Sequence, residues 1–443
     1  MNIKKLIATI ITCVSLLGFA AIASANTAGA VAPAADINLY GSSAQFTFWK
    51  GTAATYLTDA GCTNVTTYTM PCDSNHAMVS ATCNGTPIHF RITSKASWDG
   101  ILSVSGNTTN PNLSSEATPQ TESCSGTTAV PSSPAVYCTG YTRPMINAGS
   151  CSGTTCQATD CETVTGGASD VEATSIIQTS AGQLNGPKGG GAISRNFTGT
   201  GALSKNGSVI DTASQQPLTD CQEVVVPFAF WVSSDVNAMG VTNLNQTDIR
   251  MIFSGQIVDW SDLGFPSKAM NVCFRHAGSG TSATLQLAEM QPAVLYGLGE
   301  VVQQPNPDGT GTYSYYFNDG TSNEETCVNS LTGAVGYFDA DKSVGAGTSY
   351  PNVSPVTYNG VTTNNGPALK AMIENGQYDF WTVENLFEKY GNTDMPNLCN
   401  FLKNAGNSGI AMPDAWYAYT CQLTYTKAND GSYMTYNGAT CPQ

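Results

Sequence analysis

An α/β fold built in two lobes is what this sequence predicts, and three observations predict it. Short β-branched and aromatic runs alternate with stretches of helical periodicity, the order that places helices against strands. A chain of 443 residues is too long for one simple core and suits two lobes of ordinary domain size. Near its middle lies an unbroken apolar run, Val224 to Val232, the pattern of a buried strand crossing between lobes.

The chain opens on Lys4 and Lys5, an apolar run from Leu6 to Ala21, and the small-residue pattern Ala23-Ser24-Ala25. This reads as a secretory signal over residues 1–25, with Asn26 as the first mature residue. Cys13 lacks the small residues just before it that a lipoprotein cleavage site needs, so a free exported protein is expected, not a lipid-tethered one. No later segment carries a long apolar run, so no membrane span is expected in the mature chain. The expected organisation is a first lobe over 26–224, a second over 225–375, and a return to the first over 376–443 with a C-terminal extension.

Taken in order, Ile37 to Tyr40 is a short strand, Gly41-Ser42-Ser43 a small-residue turn, and Phe46 to Leu57 a helix. Ile88 to Ile92 is a second strand, followed by a polar turn over Ser94 to Gly100. From about Ser103 to Asp160 the texture turns to Ser, Thr, Gly, Pro and Asn with several cysteines, which predicts a disulfide-stapled insertion with little regular structure. After the apolar run, Asn245 with Asp248 three residues on marks a helix start, and Gly255 its end. Strands are expected at 271–274 and 334–338, and helices at 281–290, 369–374 and 380–390. The sheets should be mainly parallel.

Composition narrows the partners. The net charge of −15 becomes −17 once Lys4 and Lys5 leave, which argues against nucleic acid or anionic lipid. It leaves a small anion open, because a buried site answers to its local donors. The 15 cysteines become 14 without Cys13, an even number that suits an exported disulfide protein. Cys151, Cys156 and Cys161 recur every five residues, but the histidines, His76, His89 and His276, are far off in sequence, so disulfides are expected there and no metal. There is no haem-attachment motif and no nucleotide fingerprint, and no cofactor is expected.

Four segments share one chemical theme. In Arg275-His276-Ala277-Gly278-Ser279-Gly280-Thr281 a strand ends, glycines turn the chain, and a helix begins. The first amides of a helix lack internal partners, Ser279 and Thr281 add hydroxyls, and Arg275 offers a planar fork to two oxygens. Gly41-Ser42-Ser43 repeats the logic at the first strand–helix junction, and Ser94 and Ser97 supply a third polar turn. The fourth segment, Gly166-Gly167-Ala168-Ser169-Asp170, brings a carboxylate. Beside an anion it makes sense if the ligand carries a proton for it to accept.

These segments resemble the phosphate-binding proteins of ABC transporters, within the type II periplasmic-binding-protein fold. VVPFAFWVSSDV, FSGQIVDWSDLG and CFRHAGSGTS follow one another between Val225 and Ser282, with YGSSAQF and GGASD earlier, and TGAVGYF and NGQYDFW later. The resemblance implies an anion held between the lobes, with Ser43, Ser97, Asp170, Arg275, Ser279, Gly280 and Thr281 as phosphate-binding residues and Ser97 preferred over Ser94. It further implies a monomer serving an ABC permease, with inorganic phosphate or a similar oxyanion as ligand. Two departures stand out: Ala277, where such proteins often carry an aspartate, and the cysteine-rich insertion. The other readings are an extracellular adhesion or assembly protein that reuses the scaffold, and a hydrolase with Ser279 as nucleophile. The hydrolase reading has no histidine clearly placed as a base.

Overall fold

The computed structural model describes residues 29–106, 119–179, 183–188, 191–196, 204–205, 208–275, 278–290, 314–318, 320–408, 412 and 415–441. The expected signal peptide, His276 and Ala277 lie outside the described residues.

The first half opens with β1 (Ile37–Ser42) and α1 (Ser43–Asp59). An antiparallel run follows: β2 (Thr63–Thr69), β3 (His76–Cys83) and β4 (Thr86–Lys95), then α2 (Ser97–Ser105). After the insertion comes β5 (Gly166–Ser169). The long β6 (Thr219–Ser233) leads to α3 (Gln246–Phe253), β7 (Asn271–Arg275), α4 (Gly280–Thr284), β8 (Ser314–Asn318), α5 (Thr321–Ser330) and β9 (Ala334–Asp339). The chain then runs through α6 (Gly366–Glu374), β10 (Trp381–Glu388) and α7 (Asp394–Asn407).

One mixed sheet collects these strands in the order β8-β7-β9-β6-β10-β5-β1-β4-β3-β2. Each half has a parallel centre: β4, β1 and β5 on one side, β8, β7 and β9 on the other. Between them β6 and β10 pair antiparallel to each other and to both flanks. The sheet is therefore mixed, which corrects the expectation of mainly parallel pairing. The physical reason is that two strands joining the halves in opposite directions must pair antiparallel.

Strand β10 is also a correction, since 380–390 was expected to be helical. Trp381, Val383, Leu386 and Phe387 suit either period over so short a run. Both edges of β10 are hydrogen-bonded, to β5 and to β6, and this pairing outweighs local pattern. The insertion differs too. It contains hairpins Glu122–Ser125 with Thr128–Pro131 and Thr142–Ile146 with Thr159–Thr163, and the turn between Cys151–Ser152 and Thr155–Cys156 joins β2 at the sheet edge. Ladder hydrogen bonds hold these mostly polar strands, and Met145 and Ile146 supply buried apolar side chains. The helix expected at 281–290 is α4 continued by a π-helical turn over Leu285–Glu289.

Burial explains the centre. Every residue of β1 and β9 is buried, as is β6 from Val224 onward, as expected of strands covered on both faces. Phe230 in β6 stacks at 4.7 Å on Phe380, just before β10, and Trp231 at 4.9 Å on Phe338 in β9, within one apolar core. A small separate cluster, Met70, Met78, Ile146 and Cys156, sits under the insertion.

Seven disulfides engage every described cysteine: 62–83, 72–124, 138–161, 151–156, 221–399, 273–327 and 421–441. Cys151, Cys156 and Cys161 are thus all bridged. Among the described residues no helix is long and apolar enough to cross a membrane.

Candidate functional site

The site lies where loops at the strand ends of both halves meet. On the first side, Ser42 caps α1 by accepting from the Gln45 amide, and its hydroxyl donates to Asp170 Oδ1. Asp170 follows β5, which runs parallel to β1, so the two strand ends fall side by side. Gly41 permits this approach: its φ is +135° and a Cβ there would lie 2.7 Å from Gly100 Cα. The Asp170 carbonyl accepts from Thr382 Oγ1 at 2.6 Å, which anchors the loop to β10.

On the second side, β7 delivers Arg275 and the following turn delivers Ser279, Gly280 and Thr281. The Arg275 amide donates to Tyr337 Oη at 3.1 Å, and its guanidinium donates to Thr321 Oγ1 at 3.1 Å. Ser279 caps α4, accepting from the Ser282 amide at 3.3 Å.

Several hydrogen bonds cross the seam, among them the Trp98 amide donating to the Gly278 carbonyl at 3.0 Å. Thr321 Oγ1 lies 2.9 Å from Ser43 Oγ. Thr281 Oγ1 donates to Asp170 Oδ2 at 3.3 Å. Ser97 Oγ accepts from the Asp170 amide at 3.1 Å and the Gly280 amide at 3.2 Å. Gly280 is required here, since a Cβ would fall 2.5 Å from Asp170 Cβ. All seven sequence-predicted residues therefore gather at one seam. Six of them are buried, and Ser43 is half-buried.

At the seam the Arg275 guanidinium acts on several buried acids. Burial pushes the Asp170 carboxyl up to about 6; the Ser42 hydrogen bond draws it down, Asp339 raises it, and Arg275 lowers it. Burial likewise holds Glu324 well above the usual carboxylate range, against the pull of Arg275. That favours the neutral form of Glu324 and leaves more of the Arg275 charge for a ligand. Beside the seam opens a cavity of ≈ 330 Å³ lined by residues of both halves, including Ser43, Ser94, Lys95, Thr321, Glu325 and Lys342. Lys342 Nζ lies 3.1 Å from Asp339 Oδ2.

Ser97 makes the contacts across the seam, whereas Ser94 is in β4 and lines the cavity. Sequence reasoning missed Thr321, the hydroxyl that joins Arg275 to Ser43. A signal was present: a strand over 314–318, then Asp-Gly-Thr-Ser, then a helix, is the pattern of the Arg275 loop again. Lys95 and Lys342 gave no local signal.

No family model matches the chain, and no curated protein matches it. Among solved structures the likeness is distant. A phosphate-binding protein from Stenotrophomonas maltophilia superposes with a TM-score of 0.33 at 18% identity, covering 54% of this chain and 69% of its own. An ABC-type phosphate transport receptor from Vibrio cholerae gives 0.30 at 20%, covering 45% and 75%. A Clostridium perfringens protein solved with bound phosphate gives 0.30 at 20%, with 43% of this chain spanning 65% of that one. These superpositions indicate a distant likeness of fold and carry nothing about the ligand or site of this chain.

Proposed function

We propose that the chain is an exported solute-binding protein that holds a tetrahedral oxyanion, phosphate first among them, between two lobes for uptake or sensing. The lobes are 26–224 with 376–443, and 225–375, hinged on β6 and β10. The observation that carries this reading is the pair of hydrogen-bonded groups that cross the seam, Arg275–Thr321–Ser43 in one and Ser42, Asp170, Thr281, Ser97 and Gly280 in the other. Parting the lobes frees hydroxyls, the Gly280 amide and the guanidinium together, and an oxyanion can accept from all of them on closure. The Asp170 carboxylate accepts a hydrogen bond from the O–H of hydrogen phosphate and repels sulfate, which has no such O–H to donate. In the uptake case the partner is an ABC permease, served by a monomer.

A second reading keeps the scaffold without the ligand, as an extracellular adhesion or assembly protein. It is favoured by one feature: the seam groups already satisfy one another. Calorimetry with inorganic phosphate separates the two. One-to-one binding is expected, with Arg275→Ala weakening it more than about tenfold, a loss of about 1.4 kcal/mol. No heat with the wild-type protein points to the scaffold reading, and equal affinity for sulfate removes the role of Asp170.

A further inference from the structure

At the edge of the first half, outside the seam, Asp73, His76 and Glu122 each offer one ligand atom, and these atoms lie within 4.8 Å of one another. His76 is buried at 5% exposure at the start of β3, paired with Thr93 of β4. Its Nδ1 lies 3.0 Å from Thr93 Oγ1, and that hydroxyl reaches the Pro144 carbonyl at 3.5 Å. When the Thr93 proton goes to Pro144, Nδ1–H donates to Thr93 and Nε2 carries a lone pair. A second polar group fixing the ring from behind is how a metal-bound imidazole is usually held.

His76 Nε2 lies 3.5 Å from Asp73 Oδ2. That is long for a hydrogen bond. It matches the separation of about 3.4 Å between two ligands on a tetrahedral zinc with bonds near 2.1 Å. Glu122 Oε2 is shielded from solvent and makes no hydrogen bond among the described residues. The Cys72–Cys124 disulfide ties the Asp73 turn to the Glu122 strand, holding two of the three ligands together however the rest of the insertion moves. Lys95 acts electrostatically on both His76 and Glu122. With it, two carboxylates and one ammonium leave one net negative charge to receive a divalent ion.

We propose that Asp73, His76 and Glu122 form a site for a divalent transition metal of the zinc class, stapled by Cys72–Cys124. One imidazole nitrogen and two carboxylate oxygens suit zinc or cobalt, and the set is too small for the oxygen-rich shell of calcium. Closing the ligand atoms from separations within 4.8 Å to the tetrahedral edge of about 3.4 Å takes at most about 1.4 Å of side-chain movement. The site stands whether or not the seam takes an oxyanion.

The test uses the full mature protein with its disulfides intact, treated with chelator and desalted. Calorimetric titration with zinc chloride should show one ion per chain, and cobalt should give visible d–d absorption. Asp73→Asn and Glu122→Gln, both at partly exposed positions, should each weaken zinc at least tenfold and dim the cobalt bands without shifting the thermal midpoint of the metal-free protein. His76→Ala should remove binding; if that variant fails to fold, the two carboxylate variants decide. Absence of zinc binding in the wild type, or affinity unchanged in both carboxylate variants, overturns the proposal.

Discussion

The second half of the sheet and the insertion at the edge of the first are stabilised by different means. In the second half, Phe230, Phe253, Phe274, Tyr337 and Tyr358 pack ring against ring, and Cys273–Cys327 is the bridge between β7 and α5. At the far edge of the first half, the bridges 72–124, 138–161 and 151–156 staple the insertion, whose separate apolar cluster is small, Met70, Met78, Ile146 and Cys156. Where apolar area is scarce, cross-links take over, as in small exported domains. The arginine strand is thus mounted on a rigid core, while the insertion is a stapled attachment.

Removing one bridge from each region tests that contrast most strongly. Cys273 and Cys327 close a separation of 54 residues, Cys151 and Cys156 one of 5. The chain-entropy relation gives losses of about 4 and about 2 kcal/mol for the paired serine variants. Denaturant unfolding should show the first as a drop in the global transition. Hydrogen exchange should show the second as local opening confined to the insertion. Global unfolding by the 151–156 variant would break the contrast.

Asp170 sharpens it at the seam. Its folded carboxyl titrates near 6, above the ordinary 3.8, so the folded chain holds that proton more tightly than the unfolded one. The stabilising contribution is full below about pH 3.8 and is lost as pH rises through about 6. Asp170→Asn should therefore gain up to about 3 kcal/mol over wild type between about pH 4 and pH 7. A constant difference across that range would show that burial does not govern the group.

The smallest effect belongs to an exposed cap on the second half. Asn245 accepts from the Thr247 and Asp248 amides, and Asp248 accepts from the Asn245 amide. Asn245→Ala should lower the stability by about 1 kcal/mol by urea titration. A much larger loss would mean that α3 depends on its cap more than on Ile249, Ile252 and Phe253 beneath it.

Local chemistry made much of this readable from the chain alone. The capping box at Asn245, the apolar run in β6 and the strand–glycine–helix turn after Arg275 are written within a few neighbouring residues, where propensity and periodicity act. An even set of cysteines announced bridges without pairing them, because pairing depends on distances between elements far apart in sequence. The same limit hid β10, whose identity comes from neighbours on both edges, and Thr321, whose role needs β7 and α1 brought together. Residue types and turns come from short-range sterics; the convergence of Ser43, Ser97, Asp170 and Arg275 on one seam, and of Asp73, His76 and Glu122 on another point, comes from the order in which the strands pair.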